Sequence, residues 1–171
     1  MKPEVKINSV DDLSSVERKK LEEWFKEEFD NRPYKWTPPN WYATAWIDRR
    51  TLIGRAGIIE RDVLVGQASI RVGGISGIIT RPKWRRHGVA SAIIDKAVAF
   101  IKDELGAQFS LLLSKEEVAP LYTRLGWKPL EGPTTFEQPS GPTTYPKLTM
   151  VIPCSDYKWP AGTIDLCGLP W

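Results

Sequence analysis

The stretch Arg81-Pro82-Lys83-Trp84-Arg85-Arg86-His87-Gly88-Val89-Ala90-Ser91 leads out of a strand-like segment and into a long helix. Its downstream side predicts a helix over Val89 to Leu105, with Ile94, Ala97, Val98, Ile101 and Leu105 on one face and Gly106 as the stop. Upstream, Ile70–Thr80 reads as a strand that carries Gly73, Gly74 and Gly77. A glycine inside a strand marks a bulge or a close approach of another backbone or ligand. Beyond the helix, Phe109–Leu113 is a short continuous apolar run, the pattern of a strand buried on both faces. Strand, helix and strand make a βαβ unit. The turn between them is basic and contains glycine. In such a turn successive N–H groups converge, and the helix N-terminus adds positive potential, so a diphosphate fits there. Gly88 lets the backbone approach the phosphate, and Ala90 keeps the first helical turn narrow. The plainer reading is a solvated basic loop ahead of a helix, and the turn alone leaves both open.

Towards the N-terminus, Val5 to Asn8 forms a first strand, and Ser14 with Glu17 makes a capping box. That box opens a helix to about Phe29, with Leu21, Trp24, Phe25 and Phe29 on one face. Asp30 to Asn40 contains Pro33, Pro38 and Pro39 with Tyr34, Trp36 and Trp41 between or beside them, an aromatic loop. Ala43–Ile47 and Leu52–Ile59 read as strands. Towards the C-terminus, Glu116 to Leu125 is a short helix stopped by Gly126. Residues 131–171 are a Pro- and Gly-rich extension with one clear strand, Leu148–Ile152. The sum is a single-domain mixed α/β sheet flanked by helices, without internal repeats.

Composition narrows the function. With 171 residues, 42% hydrophobic and 26% charged, the chain is neither disordered nor fibrous. The longest apolar run, Ala97 to Ile101, is far short of the ~18 residues of a membrane span. The start, Met1 to Lys6, does not lead into a secretory signal, so a soluble, cytoplasmic protein is expected, with no membrane partner. A net charge of +3 does not call for nucleic acid, and Arg81, Lys83, Arg85 and Arg86 span one turn only. Cys154 and Cys167 have no histidine nearby and are expected to be reduced, and His87 is the one histidine, so no metal site is expected.

Arg85-x-x-Gly88-x-Ala90 after a glycine-bearing strand resembles the acetyl-CoA loop of the Gcn5-related N-acetyltransferases. Ala119-Pro120-Leu121-Tyr122-Thr123-Arg124-Leu125-Gly126-Trp127 resembles the second signature of that superfamily, an alanine–tyrosine helix ending in Gly-Phe or Gly-Trp. The resemblance covers residues 5–130. A narrower resemblance, to aminoglycoside 2′-N-acetyltransferases, rests on Arg81-x-x-Trp84-Arg85, Leu121-Tyr122 through Gly126-Trp127, Gly132-Pro133-Thr134, Gly141-Pro142-Thr143, Val151-Ile152-Pro153 and Trp171. These imply a mainly antiparallel sheet with splayed central strands. Residues 1–130 would form an acetyl-CoA-binding core, and 131–171 would complete the acceptor pocket. The narrower family also implies a role in antibiotic resistance.

What the resemblance implies can be placed residue by residue. Arg85, Arg86, His87, Gly88, Val89, Ala90 and Ser91 would surround the diphosphate of acetyl-CoA. Ile78, Ile79 and Thr80 would pair with its pantetheine arm as a pseudo-strand. A backbone N–H near Ile78 would meet the developing oxyanion, and Tyr122 would protonate the leaving thiolate. Where aminoglycoside 2′-N-acetyltransferases carry a glutamate base, this chain has Ser76, which cannot act as a base unaided. Glu60, or a carboxylate on Trp171, could act through water, and the base stays unassigned.

The acceptor side also departs from the family. The loop Asp30-Asn31-Arg32-Pro33-Tyr34-Lys35-Trp36-Thr37 has one acid, two bases and two aromatics, where binders of polycationic aminoglycosides carry acids. A small amino-sugar acceptor of kasugamycin type, with an anionic group, suits Arg32 and Lys35 better than a gentamicin-like polycation. Tyr34, Trp36, Trp41, Ser76 and Trp171 would wall its pocket. A peptide, protein or polyamine amine, and a non-catalytic CoA-binding module, are the competing readings. A homodimer is left open.

Overall fold

The computed structural model describes residues 2–31 and 33–171. Arg32, one of the two loop bases weighed for the acceptor, lies outside the described residues. The chain runs β1 (Glu4–Ser9), α1 (Ser15–Phe29), β2 (Trp41–Ile47), β3 (Thr51–Val65), β4 (Ala68–Thr80), α2 (Val89–Asp103), β5 (Phe109–Ser114) and α3 (Ala119–Arg124). It then adds β6 (Lys128–Pro129), β7 (Thr134–Gln138), β8 (Gly141–Thr144), β9 (Leu148–Pro153) and β10 (Ile164–Asp165). The helix α1 starts where its box requires: Ser14 Oγ accepts from the Glu17 N–H at 3.2 Å, and the Glu17 carboxylate accepts from the Ser14 N–H at 2.9 Å. Among the described residues no helix is long and apolar enough to cross a membrane.

All strands join one sheet in the order β6-β9-β5-β4-β3-β10-β7-β8, with β2 and then β1 beside the first half of β3. Among the described residues only β4–β5 and β10–β7 pair in parallel. Two expectations need correction. The strand β3 continues past the expected end at Ile59 to Val65, where Glu60 and Asp62 are cross-strand partners of Arg71, at 3.0 and 3.2 Å. The C-terminal extension is not a tail with one strand: β7, β8 and β10 extend the sheet beyond β3.

Each face of the sheet carries a core. On one face α2 buries Val89, Ile93, Ile94, Ala97 and Ile101 against Ala43, Ala45, Ile58 and Ile75. On the other, Ile59, Val63, Ile70, Val72, Phe109 and Leu111 pack with Phe136, Ile164, Leu166 and Trp171 from the extension. Along β4 the adjacent glycines serve opposite faces. A Cβ on Gly73 would overlap the Ile101 side chain, and one on Gly74 would overlap the Trp171 indole. Gly74→Ala must therefore displace a ring packed in the core. It is expected to cost about 1–3 kcal/mol, read as a lower midpoint of thermal or denaturant unfolding.

The central strands part at this point. The pairing of β4 with β5 stops after Val72–Phe109, Gly73–Ser110 and Gly74–Leu111. Beyond it, β4 stays on β3 and β5 stays on β9. Trp171 sits in the fork, 3% exposed, its Nε1–H donating to the Leu111 carbonyl at 3.2 Å. The ring acts as a wedge.

Candidate active site

The parted strands enclose a cleft of about 300 Å³ lined by Ile75–Thr80 of β4, Leu112–Ser114 of β5, Tyr122 of α3, Arg85 and Trp171. Within it β4 bulges. Arg55 pairs with Ile79 and Gly57 with Ser76, so Gly77 and Ile78 face Ala56 alone. Gly77 supplies the left-handed backbone this needs, φ +52°, and has no room for a side chain, because a Cβ there would lie 2.7 Å from both the Arg55 guanidinium and the Phe25 ring. A bulge withdraws a residue from the ladder, which leaves its amide free to meet a ligand atom.

At one end of the cleft stands the basic turn. Arg86 and Gly88 both adopt left-handed φ, +64° and +75°, and Gly88 is the N-cap of α2 with no side chain capping the helix. The first N–H groups of Val89, Ala90 and Ser91 are thus left for another acceptor. A Cβ on Gly88 would meet nothing within 4 Å, so the space above the turn is open. Arg85 reaches back into the cleft, its Nε–H donating to the Thr80 carbonyl at 3.1 Å and its guanidinium lying 3.4 Å from Glu28. That ion pair is half exposed and weak enough to yield to a phosphate. His87 and Arg86 are exposed, and His87 Nδ1 lies 2.7 Å from the Arg85 carbonyl. Thr80 Oγ1 is buried without a hydrogen-bond partner. An open strand edge and an orphaned hydroxyl lie in the cleft, and an uncapped helix start follows Arg85 in the chain. They fit the amide arm and diphosphate of acetyl-CoA.

Tyr122, 7% exposed, lines the cleft from α3, its ring 6.1 Å from that of Trp127. The helix ends sharply there, since the Leu125 and Trp127 N–H groups both donate to the Tyr122 carbonyl.

A second pocket, about 250 Å³, opens on the α1 face of the sheet. Glu22, Phe25 and Lys26 of α1, Trp36 to Pro39, Tyr42, Arg55, Ser76 and Trp171 contribute to its lining. Ser76 and Trp171 belong to both cavities, and so form the partition between them. Its far wall is tied down by Arg61, whose guanidinium lies 5.1 Å from the Trp171 ring and donates to the Leu166 and Leu169 carbonyls at 3.0 and 2.7 Å. Arg61 also donates to Thr37 Oγ1 at 2.8 Å, and the Thr37 N–H donates to the Pro170 carbonyl at 2.7 Å. Aromatic loop and C-terminal segment are thereby one wall. Burial lowers the Arg61 guanidinium below its ordinary value.

Trp36, Ser76 and Trp171 come together at this pocket. Tyr34 lies in an adjoining recess with Trp36, its ring edge-on to Trp36 and Phe136 at 5.9 and 5.0 Å. Trp41 is on the opposite face of the sheet, 5.5 Å from Phe100 of α2, and is not brought to the pocket. Lys35 is exposed, its backbone engaged by Gln138, and lies outside the pocket lining. Glu60 is paired with Arg71 and lines neither cavity, and the carboxylate that does line the second pocket is Glu22. Among the described residues no group of His, Cys, Asp and Glu could hold a metal ion. Both cysteines are free thiols, and burial pushes Cys154 up to about 11.

Arg55 is the residue that pattern reading passed over. It is 2% exposed, sandwiched between the rings of Phe25 and Tyr42 at 5.5 and 4.9 Å, and donates to the Leu21 carbonyl at 3.0 Å. Burial pulls it down to about 10, against the opposing pull of Tyr42 and Glu22, so it remains a cation at neutral pH. A lone charge inside Ile53-Gly54-Arg55-Ala56-Gly57-Ile58-Ile59 was the available signal.

Among families of known proteins, the profile described as "Acetyltransferase (GNAT) domain" matches residues 14–130. The aminoglycoside 2′-N-acetyltransferase of Mycolicibacterium fortuitum is 29% identical over 96 residues, which cover 56% of this chain and 48% of that protein. The chain thus spans about half the length of that curated relative. Among solved structures, Escherichia coli ElaA superposes with a TM-score of 0.65 at 14% identity, over 88% of this chain and 99% of that one. The GNAT family N-acetyltransferase YhbS of Escherichia coli, solved in complex with CoA, gives 0.60 at 15% identity over 96% and 89%.

Proposed function

Since the chain belongs to the acetyltransferase (GNAT) family, we propose that it transfers the acetyl group of acetyl-CoA to a primary amine of a small amino-sugar compound. The observation that carries this reading is the shared partition: cleft and pocket meet at Ser76 and Trp171, so an amine in one can reach a thioester in the other. Direct attack then needs no covalent enzyme intermediate. Acetyl-CoA, when bound, supplies the activated acyl carbonyl. The turn at Arg86–Gly88 and the first N–H groups of α2 hold its diphosphate, with Arg85 beside them. The open β4 edge at Ile78–Thr80 takes the amide arm. At the bulge the Ile78 N–H stabilises negative charge on the carbonyl oxygen. Tyr122 delivers a proton to the departing sulfur. The amine's proton goes to Glu22, the carboxylate in the acceptor pocket.

Gly88→Glu tests the cofactor side. The left-handed φ strains any side chain there, and a carboxylate would face the diphosphate. CoA affinity should fall at least tenfold by calorimetry, and a folded variant that binds CoA like the parent would move the diphosphate elsewhere.

For the acceptor, the relative's name points to aminoglycosides, and the lining refines that to one of low positive charge, of kasugamycin type. Lys26 and Arg55 set two cations against Glu22 in the pocket. The test is the kcat/KM of kasugamycin against gentamicin, with gentamicin the poorer acceptor. A second reading, transfer to a peptide amine, draws on the adjoining recess of about 350 Å³ between Tyr34, Trp36, Lys115 and Tyr145, which would lengthen the pocket into a groove.

A further inference from the structure

We propose that Arg55 is the specificity-determining residue of the second pocket and that it binds a carboxylate carried by the acceptor. The proposal rests on the reading of that pocket as the acceptor site.

Among the described residues no carboxylate comes within ion-pair distance of Arg55, although seven ion pairs form elsewhere. Its partners are the Leu21 carbonyl, the Phe25 ring, and the ring and hydroxyl of Tyr42, and its buried Nε–H has no acceptor. A buried cation that feels its counter-charge, Glu22, only from beyond ion-pair distance is destabilising, and an apolar side chain of similar length between Phe25 and Tyr42 would avoid that cost. Such a group needs an explanation outside the packing. Its position supplies one. Arg55 lines the pocket, and its guanidinium lies against the glycine of the bulge, next to Ser76 on the partition. An anion entering the pocket meets a positive charge in surroundings that screen it poorly. Guanidinium matches a carboxylate in geometry as well as charge.

The same charge affects the other end of the acceptor. A nearby cation disfavours a protonated amine, so the pocket favours the uncharged form that attacks. A polycation is penalised on the same ground. The recognised class is a small amine that carries a carboxylate on a compact, ring-bearing body, the rings of Phe25, Trp36 and Tyr42 packing on its apolar faces.

Glucosamine and muramic acid make a matched probe pair, because both are 2-amino sugars and the second adds a lactyl ether carboxylate. Binding of each to the CoA-loaded protein is measured by calorimetry, and acetylation by thiol release. The parent should bind muramic acid at least tenfold more tightly than glucosamine. In Arg55→Met the two should approach parity while CoA affinity holds, and Arg55→Lys should keep a reduced preference of the same sign. A parent that does not favour muramic acid overturns the proposal, and that measurement needs no variant. A folded Arg55→Met that keeps the full preference also overturns it. If the parent binds muramic acid preferentially but acetylates neither probe, the Arg55 assignment stands and the proposed transfer reaction fails.

Discussion

Tyr122→Phe leaves acetyl-CoA bound with the parent's affinity and lowers kcat by about 10²-fold, the lower end of what one general acid contributes. The ring is buried in the cleft wall, so phenylalanine refills its volume and keeps its contact with Trp127. What is lost is the hydroxyl. If Tyr122 supplies the proton to the thiolate, the loss falls on the chemical step, and single-turnover rates fall with kcat. If the tyrosine only packs the short α3 helix, the variant differs in stability and not in turnover. A chemical step unchanged in Tyr122→Phe would remove the residue from the mechanism and leave water as the donor.

Trp171→Ala is expected to be strongly destabilising. The ring is 3% exposed, wedged at the fork of β4 and β5, bonded to the Leu111 carbonyl and covered by Arg61. Truncating a buried tryptophan costs about 3–5 kcal/mol. For a domain of this size that is a fall in Tm on the order of 10 °C. The ring also divides the two cavities, so its loss should weaken both acetyl-CoA and acceptor. From the sequence, removing Leu169–Trp171 would be expected to raise the acceptor KM alone. A tail residue that is core and partition at once does not permit so clean a separation. Trp171→Phe keeps most of the wedge and should restore most of the stability. If Trp171→Ala melts within a degree or two of the parent, the wedge carries no load.

The elements around the basic turn were legible because each had a local cause. The Ser14–Glu17 box, the apolar face of α2 and the continuous run of β5 are set by neighbours in sequence, and the structure has all three. The glycines of β4 signalled close approach, though not to what: Ile101 on one face and Trp171 on the other. The misread parts depend on partners far along the chain. The end of β3 past Ile59 is held by Glu60 and Asp62 opposite Arg71, and β7, β8 and β10 are short strands that only a sheet edge stabilises. In the candidate site, motif positions at the turn and on α3 could be read directly. Arg55 and Arg61 could not, since a lone arginine in a strand gives no indication of which face it occupies. Trp41 was misplaced for the same reason, one face of the sheet being as aromatic as the other.

In the proposed transfer an amine and the acetyl thioester meet across Ser76 and Trp171. Thiol release from acetyl-CoA, followed with glucosamine, muramic acid, kasugamycin, polyamines and short peptides in turn, is the deciding measurement. The expected result is amine-dependent release above the hydrolytic background, with an equivalent of N-acetylated product, and the highest kcat/KM for an acceptor bearing an anionic group. Binding of CoA with no thiol release on any amine would contradict it and mark the chain as a non-catalytic CoA-binding module.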